Sequence, residues 1–219
     1  MTEDLARVAD MIFERGALKF GAFKLKLHEK QPDAPLSPFF LNLRTPDNPK
    51  PGPLTRDDCL LIAEVLWQKI LESGFSFSAI AGIPNAGDPL AEAIERVAAP
   101  PRSFRIIRLG KEVDDDKRRI VSLADGNYQP GERVLLIDDL ITGADSKIEA
   151  IAAIEVSALV FAGLAVLVDR QGGGREQLKK AGREMISAFT ITELFNYYLE
   201  TRKITADKYH ECLAYLANN

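Results

Sequence analysis

The chain is poor in cysteine and histidine. It holds two cysteines, Cys59 and Cys212, and two histidines, His28 and His210, in 219 residues. No CxxC pair and no Cys/His cluster occurs, which excludes a zinc site or dithiol redox centre of the usual spacing. Both cysteines fall in helical-looking stretches and are expected to be reduced and structural. A long apolar run is also missing. Nothing approaches the roughly 18 residues that a helix needs to span a bilayer, and SALVFAGLAVLV reads instead as a buried strand. The first residues, MTEDLARVADMIFERGAL, carry acids where a secretory signal needs positive charge. The chain is therefore expected to be soluble and cytoplasmic, with no membrane partner. Its 28 basic and 32 acidic residues give a formal charge of -4. The basic residues are dispersed rather than gathered into a stripe or tail, which argues against a nucleic-acid partner. No internal repeat or low-complexity tract is present.

What is present is enough apolar sequence, 46%, for a sizeable core, and the length suits one α/β domain over 1–219. Apolar residues at Leu5, Val8, Ala9, Ile12 and Phe13 mark an amphipathic first helix. FGAFKLKLHEKQPDAPLSPFFLNLR alternates apolar and basic residues, breaks at prolines and resumes, as a hairpin-like strand pair would. TPDNPKPGP must be a loop. Thr55 with Asp58 three residues on makes a capping-box start for a second helix running to Leu71, closed by Ser73-Gly74.

Beyond this, short apolar strands alternate with helices. FSAIAGI, SFRIIRL, RVLLID and ALVFAGLAVLVD are expected strands; DPLAEAIERVA, DSKIEAIAAI and REQLKKAG are expected helices. This alternation predicts a parallel sheet covered on both faces. The remainder, from Met185, reads as one more strand and two helices. The expected fold is α/β, with a hood built from residues 1–45 and the C-terminal region.

The stretch VLLIDDLITGADS carries the chemistry. In an open parallel sheet ligands bind beyond the carboxyl ends of the strands, and Val134 to Ile137 would deliver Asp138 and Asp139 there. Leu140, Ile141, Thr142, Gly143, Ala144, Asp145 and Ser146 would then form a loop at a helix N-terminus. Free backbone N–H groups, the positive end of the helix dipole and two hydroxyls can there hold a phosphate. Two carboxylates beside a phosphate make sense if they hold hydroxyl groups, or a magnesium ion through its waters. A sugar phosphate meets both demands. A plain buried strand with an acidic helix cap is the simpler alternative.

VLLIDDLITGADS resembles the signature of the type I phosphoribosyltransferases, which bind phosphoribosyl pyrophosphate. The resemblance implies that Asp138 and Asp139 address the ribose hydroxyls while the loop grips the 5-phosphate. Gly143, Ala144 and Asp145 depart from the family's usual residues, and Asp145 is expected to turn outward as an N-cap.

Other segments are similar to orotate phosphoribosyltransferases and together cover nearly the whole chain. FKLKLHEKQPDAPLSPFFLNLR matches an early segment of that family, which places Lys26 at a lysine that reaches pyrophosphate. Phe39 and Phe40 fall where the family packs the pyrimidine ring and offers it backbone hydrogen bonds, though strand aromatics are also ordinary core. LVDRQGGG matches a strand ending in Asp-Arg whose arginine binds the base, here Arg170, a rigid fork of donors suited to a carboxylate or carbonyls. The competing reading pairs Arg170 with Asp169 or a surface acid.

AGIPNAGDPLA occupies the place of the pyrophosphate loop. Gly87 is retained with Gly82 and Pro89, while Asn85 and Ala86 replace a Tyr-Lys pair. Backbone amides could still serve there, since close approach needs only the glycines. SFRIIR places Arg108 at a family arginine, and Lys111 falls near an expected loop lysine, offset by one. The following loop has no histidine; Lys117, Arg118 and Arg119 are available cations, unless the segment is a solvated charge run.

The resemblance implies transfer of ribose 5-phosphate from phosphoribosyl pyrophosphate to orotate with Mg2+, in a homodimer whose loop cations act across the interface. Lys26, Arg108, Lys111, Asp138 and Asp139 are the implied catalytic set. Two alternatives stay open. One is transfer to another base; the other is a regulator that binds the donor without chemistry.

Overall fold

A computed structural model describes residues 1–25, 28, 31–98, 104–114, 117–123 and 128–218, with backbone alone over 111–114 and 117–122. In chain order the elements are α1 (Glu3–Glu14), β1 (Leu18–Phe23), β2 (Ser37–Leu41), α2 (Arg56–Ser73), β3 (Ala79–Gly82), α3 (Asp88–Val97), β4 (Arg105–Ile106), β5 (Leu109–Asp114), β6 (Lys117–Leu123), β7 (Arg133–Ile141), α4 (Asp145–Val156), β8 (Val160–Asp169), α5 (Gly174–Lys180), β9 (Met185–Thr190), α6 (Ile191–Glu200) and α7 (Ala206–Ala217).

The central sheet has the order β4-β3-β7-β8-β9 and is parallel throughout. Side chains alternate across a strand, so each buried strand feeds two cores. Ile80, Leu135, Ile137, Ala165 and Leu167 point to one face, where they join Ile62, Leu66, Leu90 and Ile94 of α2 and α3. Ala79, Ala81, Val134, Leu136, Leu164 and Val166 point to the other, where they meet Ala150, Ile151, Ile154 and Leu178 of α4 and α5. Full burial of one such Leu or Ile contributes roughly 1.5–3 kcal/mol. The near-continuous apolar strands are thus a consequence of a sheet covered on both sides.

Local signals set the helix ends. Thr55 and Asp58 form the expected capping box, and Gly74 closes α2 with a left-handed φ of 71°. Thr2 caps α1, whose Val8, Ala9, Met11 and Ile12 are buried. The hood is the antiparallel pair β1–β2, with Leu18 opposite Leu41 and Phe20 opposite Phe39, joined to α1, α6 and α7. Tyr198 Oη donates to the Ala9 carbonyl at 2.7 Å, and the Phe39 ring stacks edge-on to Phe195 at 5.1 Å. The hood and the α2 side of the sheet share one apolar core. Among the described residues no helix is long and apolar enough to cross a membrane.

Three sequence expectations need correction. The strand expected over SFRIIRL is only Arg105–Ile106, because β3 offers partners just for these two residues. The strand RVLLID runs on to Ile141, since β8 continues to pair with Leu140 and Ile141; the loop expected over Leu140 to Ser146 therefore shrinks to Thr142, Gly143 and Ala144 before α4. The charged segment after Arg108 is a hairpin, β5–β6, whose register sets Glu112 opposite Arg119 and Asp114 opposite Lys117.

Candidate active site

Three strand ends build the site. β3 ends at Gly82 and leads into residues 83–87; β7 carries Asp138 and Asp139 near its end; β8 ends in Asp169, followed by Arg170. The first turn is drawn tight against β7. Ile83 N–H donates to the Ile137 carbonyl at 2.8 Å, and a Cβ on Gly87 would stand 2.1 Å from that same oxygen. A Cβ on Gly82 would stand 2.4 Å from Asp88 N. Glycine is needed at both places because backbone meets backbone. Asn85 and Ala86 are half-buried in this turn, which is anchored at the Ile137 carbonyl, one residue before the acidic pair.

The two aspartates are buried, at 4% and 5% exposure, yet they differ. Asp138 has both oxygens engaged: Oδ1 accepts from Asp139 N–H at 2.9 Å and Oδ2 accepts from Lys147 Nζ at 2.6 Å. Asp139 Oδ1 accepts from Leu140 N–H at 2.8 Å, while its Oδ2 has no partner among the described residues. Burial first, and the neighbouring Asp138 charge second, push the Asp139 carboxyl up to about 7; the charges of Lys147 and Arg44 oppose this. A buried carboxylate oxygen without a donor is costly, and it suits a ligand that brings hydroxyls or positive charge.

The 142–144 loop is backed by glycines. Arg170 N–H donates to Ile141 O and Gly174 N–H to Thr142 O, both at 2.8 Å. A Cβ on Gly172 or Gly174 would come within 2.7 Å or 2.6 Å of Thr142 or Ile141 side chains. The run Gln171-Gly172-Gly173-Gly174 is therefore a bearing surface for the loop. Thr142 and Gly143 are exposed, Ser146 is half-buried, and nothing lies within 4 Å of a Cβ built on Gly143. Ala144 N–H is already donated to Gln177 Oε1 at 2.9 Å, so it is not one of the free donors. Asp145 is exposed as expected, but Ala144 occupies the N-cap position and Asp145 is the first helical residue. An acid there still favours the helix through the dipole.

Arg170 is not paired with Asp169. Asp169 accepts from Arg175 Nε at 2.6 Å and from Gln171 N–H at 2.8 Å, while Arg175 also donates to Ser187 Oγ at 2.8 Å. Arg170 lies over the Phe39 ring, 5.2 Å from its centroid. Its Nε is buried without a partner among the described residues, and burial lowers its proton affinity. Phe39 itself is fully buried, packed by Phe195 and Tyr215, so its ring supports Arg170 instead of forming an open wall. Phe40 points the other way and is half-buried, 5.7 Å from Phe23. Strand alternation separates the two rings.

No protein-family model matches the chain. An orotate phosphoribosyltransferase of Aquifex aeolicus is 32% identical over 138 residues, covering 61% of this chain and 72% of that one. The chain belongs to the orotate phosphoribosyltransferase family. A uridine 5'-monophosphate synthase of Bos taurus is 26% identical over 209 residues, covering 95% of this chain and 40% of that protein. The structure of Leishmania donovani UMP synthase aligns with a TM-score of 0.75 and 25% identity, covering 98% of this chain and 42% of that chain. The chain thus spans less than half the length of these two synthases.

For a chain of the orotate phosphoribosyltransferase family, the strand ends gather most of the expected residues. Asp138, Asp139, the 142–146 segment, the 85–87 turn and Arg170 share the carboxyl edge of the sheet. Arg108 is exposed and donates to Glu92 at 2.8 Å; Glu92 also receives Arg56 at 3.4 Å. Arg56, Asn85 and Glu92 line a polar cleft of about 220 Å³ with Thr45 and Asp47. Lys26 lies outside the described residues, and Lys111 is described only as backbone, opposite Ile120 in the hairpin. His28 is buried within its own loop, between Leu25 and Ala34 backbone groups.

Sequence reasoning assigned no role to Lys147, Arg44 or Arg56. Lys147 sits inside an apolar-looking helix, and only the tertiary fold brings it under Asp138. Among the described residues no group of three or more His, Cys, Asp or Glu could hold a metal. The unpartnered Asp139 oxygen offers one ligand position to a hard cation.

Proposed function

We propose that the chain transfers ribose 5-phosphate from phosphoribosyl pyrophosphate to orotate, giving orotidine 5'-phosphate and pyrophosphate. The observation that carries this reading is the pair of buried polar atoms left without partners, Asp139 Oδ2 and Arg170 Nε, at neighbouring strand ends beside a helix N-terminus. One suits a sugar hydroxyl or developing positive charge; the other suits an anionic planar base. We read residues 1–219 as one such domain, working in the cytoplasm as a homodimer, on the strength of the family resemblance.

In this reading the 142–146 segment takes the 5-phosphate through helix-terminal N–H groups and the Thr142 and Ser146 hydroxyls. The ring nitrogen of orotate forms a bond to the anomeric carbon as the bond to pyrophosphate oxygen breaks, and the electron pair leaves with pyrophosphate. Positive charge grows on the sugar next to Asp139, which faces it from a desolvated site where the interaction is strongest. Arg170, steadied by Phe39, holds the base, and Phe40, which faces away from Phe39, takes no part in holding it. The 85–87 turn meets pyrophosphate through the Asn85 and Ala86 amides, since Gly87 N–H is donated to Ile83 O at 2.8 Å, aided by Lys26, Arg108 and Lys111. Asp139, backed by Asp138, would help hold a Mg2+ that arrives with the donor, and the ion would supply Lewis-acid help to the departing pyrophosphate.

A second reading, donor binding without transfer, draws on the absence of a lysine at Asn85-Ala86 and on the Arg108–Glu92 ion pair. Formation of orotidine 5'-phosphate, measured beside an Asp139→Asn protein and a panel of other bases, decides between them. Turnover with orotate that the variant loses is the expected result. Donor binding without turnover on any base overturns transfer, and turnover only with another base overturns the choice of orotate.

A further inference from the structure

Lys147 is a buried charge that neither the motif nor the reaction above employs. Its side chain is 7% exposed and that of Asp138 is 5% exposed. Nζ donates to Asp138 Oδ2 at 2.6 Å and to the Leu140 carbonyl at 2.8 Å, with Ser146 Oγ at 3.4 Å. All three ammonium hydrogens therefore have acceptors, and all three acceptors belong to the strand-loop-helix corner that would hold the donor. A buried ion pair is weak evidence for stability, because desolvation offsets much of the attraction. Its geometry, however, fixes one arrangement of the groups it ties together. With Lys147 and Asp139 N–H occupying both of its oxygens, Asp138 is immobilised, and Asp139 alone keeps an unclaimed oxygen.

We propose that Lys147 is a positioning residue for the donor site, acting through Asp138 to hold the corner from which Asp139 and the 142–146 segment meet the sugar phosphate. This rests on the reading that the corner binds phosphoribosyl pyrophosphate. Lys147 does not touch the donor; it sets the place of groups that do. Outer-shell partners of this kind commonly alter affinity or activity by about 10- to 100-fold.

The test compares wild type, Lys147→Met, Asp138→Asn and the double variant. Donor affinity is read by calorimetry without base, KM for each substrate by steady-state kinetics, and folding by thermal melting. Positioning predicts a donor KM raised about tenfold or more in Lys147→Met, with KM for orotate within about twofold of wild type. It also predicts that adding Lys147→Met to Asp138→Asn changes donor KM little, since the lysine acts through the residue already altered. A purely structural lysine would lower melting temperature and the active fraction while leaving donor KM unchanged, which would overturn the proposal. So would effects of the two substitutions that multiply. If Lys147→Met alone does not fold, the double variant, which buries no unpaired charge, is compared with Asp138→Asn and decides the same question. A wild type that neither binds donor nor turns over ends the underlying reading; a working wild type with unaltered variants ends only this inference.

Discussion

The guanidinium carbon of Arg170 stands 5.2 Å from the centre of the Phe39 ring. The ring is itself clamped by Phe195 and Tyr215. A cation over an aromatic face is held in place without using its hydrogen-bond donors, which leaves the fork available to a ligand.

Arg170→Lys should therefore lose on the order of 10²-fold in kcat/KM for orotate, because a lysine cannot give two parallel donors from a stacked plane. Donor affinity should stay within about twofold. Phe39→Leu should produce a smaller loss of the same kind, with a few kcal/mol of destabilisation from the vacated core. Steady-state kinetics with each substrate varied, together with thermal melting, checks both. An unchanged orotate KM in Arg170→Lys would remove this residue from the base site.

Asp139 makes the free protein sensitive to pH in an unusual direction. Its carboxyl is raised from an ordinary value near 3.8 to about 7, chiefly by burial. The folded state then holds the proton more tightly than the unfolded chain. Stability is full below about 4 and declines as pH rises to about 7. Asp139→Asn, which needs no proton, should melt higher than wild type at pH 8 and match it near pH 4, while losing about 10²-fold or more in turnover. Melting curves across that range, with an activity assay, would test the trade. A variant less stable than wild type at pH 8 would contradict it.

Two glycines separate packing from backbone conformation. Gly87→Ala forces a Cβ to within 2.1 Å of the Ile137 carbonyl, so it should cost about 1–3 kcal/mol and also raise donor KM by displacing the 85–87 turn. Gly74→Ala meets open space but sits at φ 71°, so it should cost about 1 kcal/mol through conformation alone. Its kinetics should match those of wild type. Equal kinetic effects from the two would refute the role given to the turn.

The thiols of Cys59 and Cys212 are buried, and burial pushes them up to about 11 and about 12. Neither should react with a water-soluble disulfide reagent at pH 8 in the native protein, and both should react in denaturant. Rapid native labelling of either would show that α2 or α7 opens far more readily than its packing implies.

Much of this protein is dictated locally. Helix ends follow from Thr55, Asp58 and Gly74; the parallel sheet follows from apolar strands alternating with helices; the acidic pair and its loop follow from one contiguous stretch. These features depend on neighbours in the chain, so a sequence displays them. Tertiary structure decided the rest. The unequal fates of Asp138 and Asp139 depend on Lys147, which reaches back under the strand from the next helix. The orientation of Arg170 depends on Phe39 from the hood and on the Arg175–Asp169 pair. The Gln171–Gly174 run became legible only when packed against Thr142. Burial and pairing are set by what the fold brings from afar, and sequence spacing holds no record of desolvation.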